Sequence, residues 1–169
     1  YKYTQPEAVK IVLQRFAYRN VSLNAQMIKS FYKLTYKVIR QALTELEGEN
    51  ILVFSDNYYL LKADYELLKN NDFPLILSVY VLHRNDFLVK SNEYRLKEQY
   101  KTSFNLLQYI LIDGEFHGAV VGKFKNGPYI IEDLDDNDKK RRKDEIISAV
   151  YKVNQKEHSP IKRFCGDTL

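Results

Sequence analysis

Tryptophan is absent from the 169 residues, methionine and cysteine occur once each (Met27 and Cys165), and proline occurs four times. One cysteine closes no internal disulfide, so the chain is not a disulfide scaffold, and a reducing, cytoplasmic setting is expected. Three scattered histidines, His83, His117 and His158, give none of the spacings that hold zinc. No apolar run approaches the roughly 20 residues needed to cross a bilayer, and no charged-then-apolar signal segment opens the chain, so no membrane association is expected. The HExxH, P-loop, GxSxG and dinucleotide fingerprints are missing. Asp133, Asp135 and Asn137 open like a calcium loop. Asp138 stands where that loop needs glycine, however, and Asp144 where it needs glutamate. The expectation is therefore no metal, no cofactor and no catalytic set of the chain's own. A chain that opens on Tyr1 rather than Met reads as a trimmed chain or as the end of a longer protein.

What is present is ordinary in bulk and uneven in distribution. Hydrophobic residues make up 45% and charged residues 28%, values typical of a soluble folded chain of one compact domain or two small ones. Residues 1–63 hold nine Lys/Arg against five Asp/Glu, whereas residues 64–169 hold seventeen of each. The whole net charge of +4 therefore sits in the first part. Such a bias attracts a polyanion by counterion release. The bland alternative is charge that serves solubility alone.

The segment TYKVIRQALTELEGENILVFSDNYYLL, Thr35 to Leu61, reads as a helix running into a two-stranded hairpin. Val38, Ile39, Ala42, Leu43 and Leu46 recur on one helical face. Thr35 is placed to cap the helix start, and Gly48 to supply a left-handed stop. Ile51–Phe54 and Tyr58–Leu61 are β-rich runs around Ser55-Asp56-Asn57. Upstream, Pro6 suits a first helical turn after Thr4. Ala8, Val9, Val12, Leu13, Phe16 and Ala17 form an apolar stripe over a helix at about 6–19. Val21-Ser22-Leu23 is a minimal strand. Asn24 caps a second helix that turns Met27, Ile28, Phe31 and Tyr32 inward. The order α, β, α, α, β, β is that of a winged helix-turn-helix domain.

The remainder reads as a linker at 64–74 with one helical turn and a small α+β domain at 75–169. Leu75–Leu82 is ambiguous between strand and buried helix, and Val79 and Val81 favour strand. A helix follows from Phe87 to Tyr100, capped by Asn85 or Asp86. Asp113-Gly114 and Asn126-Gly127 are hairpin dipeptides that divide Leu106–Leu134 into a three-stranded antiparallel meander. Gly118 and Gly122 inside its middle strand predict bulges or a close approach. A C-terminal helix is expected at about 138–154, capped within Asp135–Asp138 and burying Ile146, Ile147, Val150 and Val153. The tail from Gln155 is expected to be loop. The overall fold class is α+β.

Tyr36, Lys37, Arg40, Gln41 and Thr44 line the polar face of the third helix. They are the candidate DNA-binding residues, since a major groove admits a helix and Arg and Gln match guanine and adenine edges. Lys33 and Tyr32 in the preceding turn, and Asn57 in the hairpin tip, are candidate backbone contacts. The tip carries no Lys or Arg, and Asp56 there repels phosphate. A solvated polar face is the alternative for all of these. The basic run Lys139–Lys143 follows five acids and reads as an exposed first helical turn with local ion pairs. His83, Arg84, Asn85 and Asp86 form a possible polar site; such a cluster more often ends a strand and caps the next helix.

The segments LHRNDFLVKSNEYRLKEQY and LLQYILIDGEFHGAVVGKFKNGPYIIEDL resemble the C-terminal region of YcaQ-like winged-helix proteins, a family grouped with bacterial crosslink-repair DNA glycosylases. Arg84, Asp86 and Leu88 fit its R-x-D-x-L element. Asp113-Gly114 and Val121-Gly122 fit its D-G and V-G elements. The resemblance implies stacked winged helices beside a barrel-like domain. The family's catalytic Gln-x-Gln pair has no counterpart here, because no two of the seven glutamines are separated by one residue. The expected function is binding of double-stranded DNA in transcriptional regulation or repair, as a homodimer or within a longer parent chain. The alternatives are the C-terminal portion of a glycosylase acting on alkylated or crosslinked bases, and a protein-interaction module.

Overall fold

Thr4, Pro6 and Glu7 start the first helix, α1 (Gln5–Asn20). The Glu7 carboxylate accepts hydrogen bonds from the Thr4 N–H (2.7 Å) and hydroxyl (2.8 Å), closing the first turn. The computed structural model describes residues 2–74, 77–101, 105–122, 129–132 (backbone only), 141–154 and 160–169. The chain divides into two compact units, residues 1–74 with Ser91–Tyr94, and residues 75–90 with 95–169.

In the first unit α1 buries Val9, Leu13, Phe16 and Ala17. Val21 then takes φ 65° and ψ −42°, a positive-φ conformation that a β-branched residue rarely adopts. It is thereby lost to the following strand, and β1 is only Ser22–Leu23. Asn24 caps α2 (Ala25–Tyr32) by accepting from the Met27 N–H at 2.9 Å. Thr35 caps α3 (Tyr36–Gly48) through the Val38 N–H at 3.5 Å. The expected stop at Gly48 is displaced: Gly48 remains helical and Asn50 takes the left-handed turn at φ 59°. The Ile51 N–H bonds the Leu46 carbonyl and the Asn50 N–H that of Glu47, at 2.9 Å each, which is a Schellman closure. Asparagine tolerates that conformation, so glycine is not required there.

The hairpin β2 (Leu52–Ser55) and β3 (Tyr58–Leu61) turns through Asp56 and Asn57, both at positive φ (49° and 68°), as a two-residue primed turn requires. β3 lies between β1 and β2. Leu13, Leu23, Ile28, Ile39 and Leu46 are fully enclosed between this sheet and the helices. The expected linker is more ordered than one turn, since residues Lys62–Asn70 form a nine-residue helix, α4, with no buried side chain.

The second unit is built on one six-stranded sheet in the order β4-β5-β6-β7-β8-β9. Its strands are β4 (Val79–His83), β5 (Leu106–Ile112), β6 (Glu115–Val121), β7 (Tyr129–Glu132), β8 (Ile161–Phe164) and β9 (Asp167–Thr168). β5, β6 and β7 pair antiparallel in sequence order, whereas β7 and β8 pair parallel. The tail beyond Gln155 is thus not loop throughout: residues 161–168 complete the sheet.

Two helices pack in this unit, α6 (Lys143–Val153) and the two ends of α5 (Phe87–Gln99), whose residues Ser91–Tyr94 belong to the first unit. Val89, Leu96 and Tyr100 pack with Tyr109, Phe116 and Ala119. Ile146 and Val150 pack with Leu107, Ile110, Ile112 and Val120. The two side-chain sets alternate along β5, so both faces are buried, which is why Leu106–Ile112 reads as a near-continuous apolar run. Gly118 sits beside an irregularity in which Ile110 pairs with Gly118 and Leu111 with Phe116, so His117 is the extra residue of a bulge.

Two expectations for the last helix are revised. The helix as described starts at Lys143 rather than near 138, with Arg142 at its N-cap position, and Val153 is exposed. Arg142 is also buried instead of lying on an exposed turn. It donates to Asp113 and Glu145 at 2.8 Å each. The acidic cap within Asp135–Asp138, the calcium-like spacing, Lys139 and Lys140, and the Asn126-Gly127 turn lie outside the described residues. Among the described residues no helix is long and apolar enough to cross a membrane.

Asp113 ties three separate segments together. It turns the β5–β6 hairpin at φ 52°, accepts from the Ser78 N–H ahead of β4 (2.7 Å), and pairs with Arg142 ahead of α6. Burial raises its pKa, but the Ser78 and Arg142 hydrogen bonds outweigh that and hold the carboxyl below the usual range. A depressed carboxylate pKa contributes stability that is present above the unfolded value of about 4 and lost as pH falls through the folded one. Asp113→Asn should therefore lower stability at neutral pH and flatten its decline in acid. Urea melts across that range check this, and parallel wild-type and variant profiles would refute it.

Candidate nucleic-acid interface

Ile39, Leu43 and Leu46 anchor α3 in the first unit's core, and their burial fixes which way the rest of the helix points. Tyr36, Arg40 and Thr44, spaced by four, form one stripe along the open side. The start of α2 (Asn24, Ala25, Gln26) and the hairpin (Phe54, Asn57, Tyr59) flank that stripe, and together they enclose a groove of about 580 Å³. Four of the sequence-derived candidates, Tyr36, Arg40, Thr44 and Asn57, are thus brought together.

Two cations share the Tyr36 ring. Lys29 Nζ lies 4.1 Å from its centroid and the Arg40 guanidinium carbon 5.5 Å. This holds positive charge at the mouth of the groove on a rigid aromatic plate. Across the groove Phe54 and Tyr59 are a cross-strand pair with centroids 4.8 Å apart. Burial and the nearby Glu47 raise the Tyr59 pKa, so its hydroxyl stays protonated. The lining offers amides, hydroxyls, aromatic rings and a guanidinium, and includes no carboxylate, histidine or thiol.

The other candidates are placed differently. Lys37 is exposed beside the stripe. Gln41 donates to Glu45 at 3.0 Å and faces a second, smaller groove against Gln5, Pro6 and Val9. Lys33 closes α2 at φ 58°, and its Nζ donates to the Ser30 carbonyl at 2.6 Å. Tyr32 makes edge-on contacts with Phe16 (5.9 Å) and Phe31 (4.9 Å), and burial raises its pKa against the opposing effect of Arg19. In the second unit, the Asp86 carboxylate caps α5 through the Leu88 N–H (2.8 Å). The Asn85 N–H donates to His83 Nδ1 (3.2 Å) and the Asp86 N–H to the His83 carbonyl (2.7 Å). These polar atoms of the His83–Asp86 cluster form the turn between β4 and α5. Among the described residues no group of His, Cys, Asp or Glu could hold a metal ion.

Sequence reasoning missed Asn24, Gln26, Phe54 and Tyr59 as groove residues, and Lys29 as the cation over the Tyr36 ring. Lys29 carried a usable signal, being the cation in the last turn of α2. Phe54 and Tyr59 carried none, because an aromatic in a strand reads as core.

The fold has a known counterpart. It is similar to the DNA glycosylase AlkZ of Streptomyces sahachiroi, with a TM-score of 0.58 at 12% identity. The match covers 96% of this chain and 46% of that protein, so this chain spans about half its length. No protein-family model and no curated protein matches the sequence. At this identity the likeness is one of fold, and it extends over both units.

The shared Tyr36 ring has a measurable consequence. Tyr36→Leu keeps apolar bulk but removes the π-face under Lys29 and Arg40, and should cost about 0.5–1 kcal/mol. Tyr36→Phe should cost less. Equal losses for the two variants in urea denaturation would show that the ring face contributes nothing.

Proposed function

We propose that this protein binds double-stranded DNA through a winged helix-turn-helix at residues 1–63, joined by residues 64–74 to an α+β domain at 75–169 whose middle strands form a meander. In this reading α3 is the recognition helix, β2–β3 is the wing, and the role is transcriptional regulation or DNA-repair-related binding. The observation that carries it is the stripe Tyr36–Arg40–Thr44 facing an open groove in the half that holds the chain's whole positive excess. Arg40 and Lys29 supply charge for phosphate, and Asn24, Gln26 and Asn57 supply amides for base edges. Likeness to a DNA glycosylase supports a DNA-related role. Duplex binding should weaken steeply with salt. The Lys37→Ala, Arg40→Ala pair should weaken it further at every sequence and reduce the log–log salt slope by about 2. Unchanged affinity in the double variant, measured by fluorescence anisotropy, would remove the α3 assignment.

A second reading makes this chain the C-terminal portion of a glycosylase acting on alkylated or crosslinked bases. What supports it is that the fold match covers 46% of AlkZ. It predicts that the natural gene product, if longer and carrying the Gln-x-Gln pair, releases an alkylated base from duplex DNA, whereas this chain alone releases none. A complete natural product that releases no base would eliminate it.

A further inference from the structure

The wing is unusual in what it offers. Its tip, Asp56-Asn57, has no cation, and the Ser55 hydroxyl donates to the Asp56 carboxylate at 2.9 Å. What stands over the groove instead is an aromatic. Phe54 lies on the same face of the hairpin as Leu52, because side chains two apart share a face, and Leu52 is buried in the core. The core face of the hairpin therefore runs on past the core, and its last pair, Phe54–Tyr59, overhangs the groove with Phe54 51% exposed. A large apolar ring on a core-facing position, left uncovered in the groove that Arg40 also lines, is poorly matched to phosphates and well matched to the face of a base.

From this geometry we infer that the groove takes an unpaired nucleobase of a DNA strand, stacked on Phe54. Arg40 and Lys29 meet the flanking phosphates, and Asn24, Gln26 and Asn57 face the base edge. The proposal rests on the DNA-binding reading above and narrows its target from intact duplex to DNA with an unstacked base. Three observations support it. The groove's volume of about 580 Å³ falls within the roughly 300–1,000 Å³ of small-molecule sites, enough for a base and not only a phosphate. Aromatic rings and amides line it, which is how unstacked bases are held on protein surfaces. Positive charge lies at the same groove, on Arg40 and on Lys29 over the Tyr36 ring, complementary to the strand's phosphates.

The test compares the full chain on three DNAs of one sequence: an intact duplex, the same duplex with one unpaired thymine, and the single strand. Anisotropy at fixed salt should show the bulged duplex bound about tenfold tighter than the intact one, the gain expected from one stacked base. Phe54→Ala and Phe54→Leu should each abolish that preference, lowering bulged-duplex affinity to that of the intact duplex. Phe54→Trp should retain it. Because Phe54 is half exposed, these variants are expected to fold, and their urea midpoints confirm this. Arg40→Ala should weaken all three DNAs alike. Single-strand affinity above that for the bulged duplex assigns the base to single-stranded DNA, and affinity below it assigns the base to a distorted duplex. Equal binding of bulged and intact duplexes overturns this inference alone, as does a Phe54→Ala loss that is the same on both. No binding to any of the three overturns the DNA reading as well.

Discussion

Asp56 and Asn57 turn the hairpin at positive φ, and that two-residue turn sets the register of β2 against β3. Leu52 then opposes Leu61 and Phe54 opposes Tyr59. Register in a hairpin is all or nothing: a slip of one residue would carry Leu52 out of the core and turn Phe54 to the opposite face. The same choice that closes the hydrophobic centre around Leu13, Ile28 and Leu46 therefore also builds one wall of the groove. The other wall depends on α3, whose rotation is set by Ile39 and Leu43. Core packing and surface chemistry in the first unit are one set of constraints seen from two sides.

The second unit solves a different problem. Its sheet is covered on both faces, by α5 on one and α6 on the other, and several of its buried polar side chains bond one another or the backbone. Gln108 and Asn154 exchange amide hydrogen bonds at 2.9 and 3.3 Å. Tyr100 donates to the Phe116 carbonyl at 3.1 Å. Asp113 draws the approach to β4 and the start of α6 onto one hairpin turn. Each of these removes a cost that a buried unpaired group would impose.

The first unit was legible in the sequence because its signals are local. The caps Asn24 and Thr35, the stripe Val9–Leu13–Phe16 and the β-rich runs around Asp56-Asn57 each act within a few residues. The shift of the helix stop from Gly48 to Asn50 shows the limit of that reasoning, since two residues compatible with a left-handed turn stood two apart. What was hidden was non-local. The parallel pairing of β7 with β8 joins segments far apart in the chain, and IKRF has too few residues to declare itself a strand. Arg142 read as one more cation in a basic run, and only the distant Asp113 explains its burial. In the groove, Tyr36, Arg40, Thr44 and Asn57 were legible as polar residues on a helix and a turn. Phe54 was not, because exposure at the end of a core face is a property of the packed sheet.

The parallel β7–β8 contact also orders events in time. Until residue 164 has left the ribosome, β7, with the sequence YIIE, is an edge strand with unsatisfied backbone groups. β5 and β6 close through a two-residue turn and are ready early. The far side of the sheet waits for a long-range crossover, the slow step in topologies of this kind. Between the synthesis of β7 and that of β8 the nascent chain therefore carries an open β-edge, and it is vulnerable to misassociation during that interval.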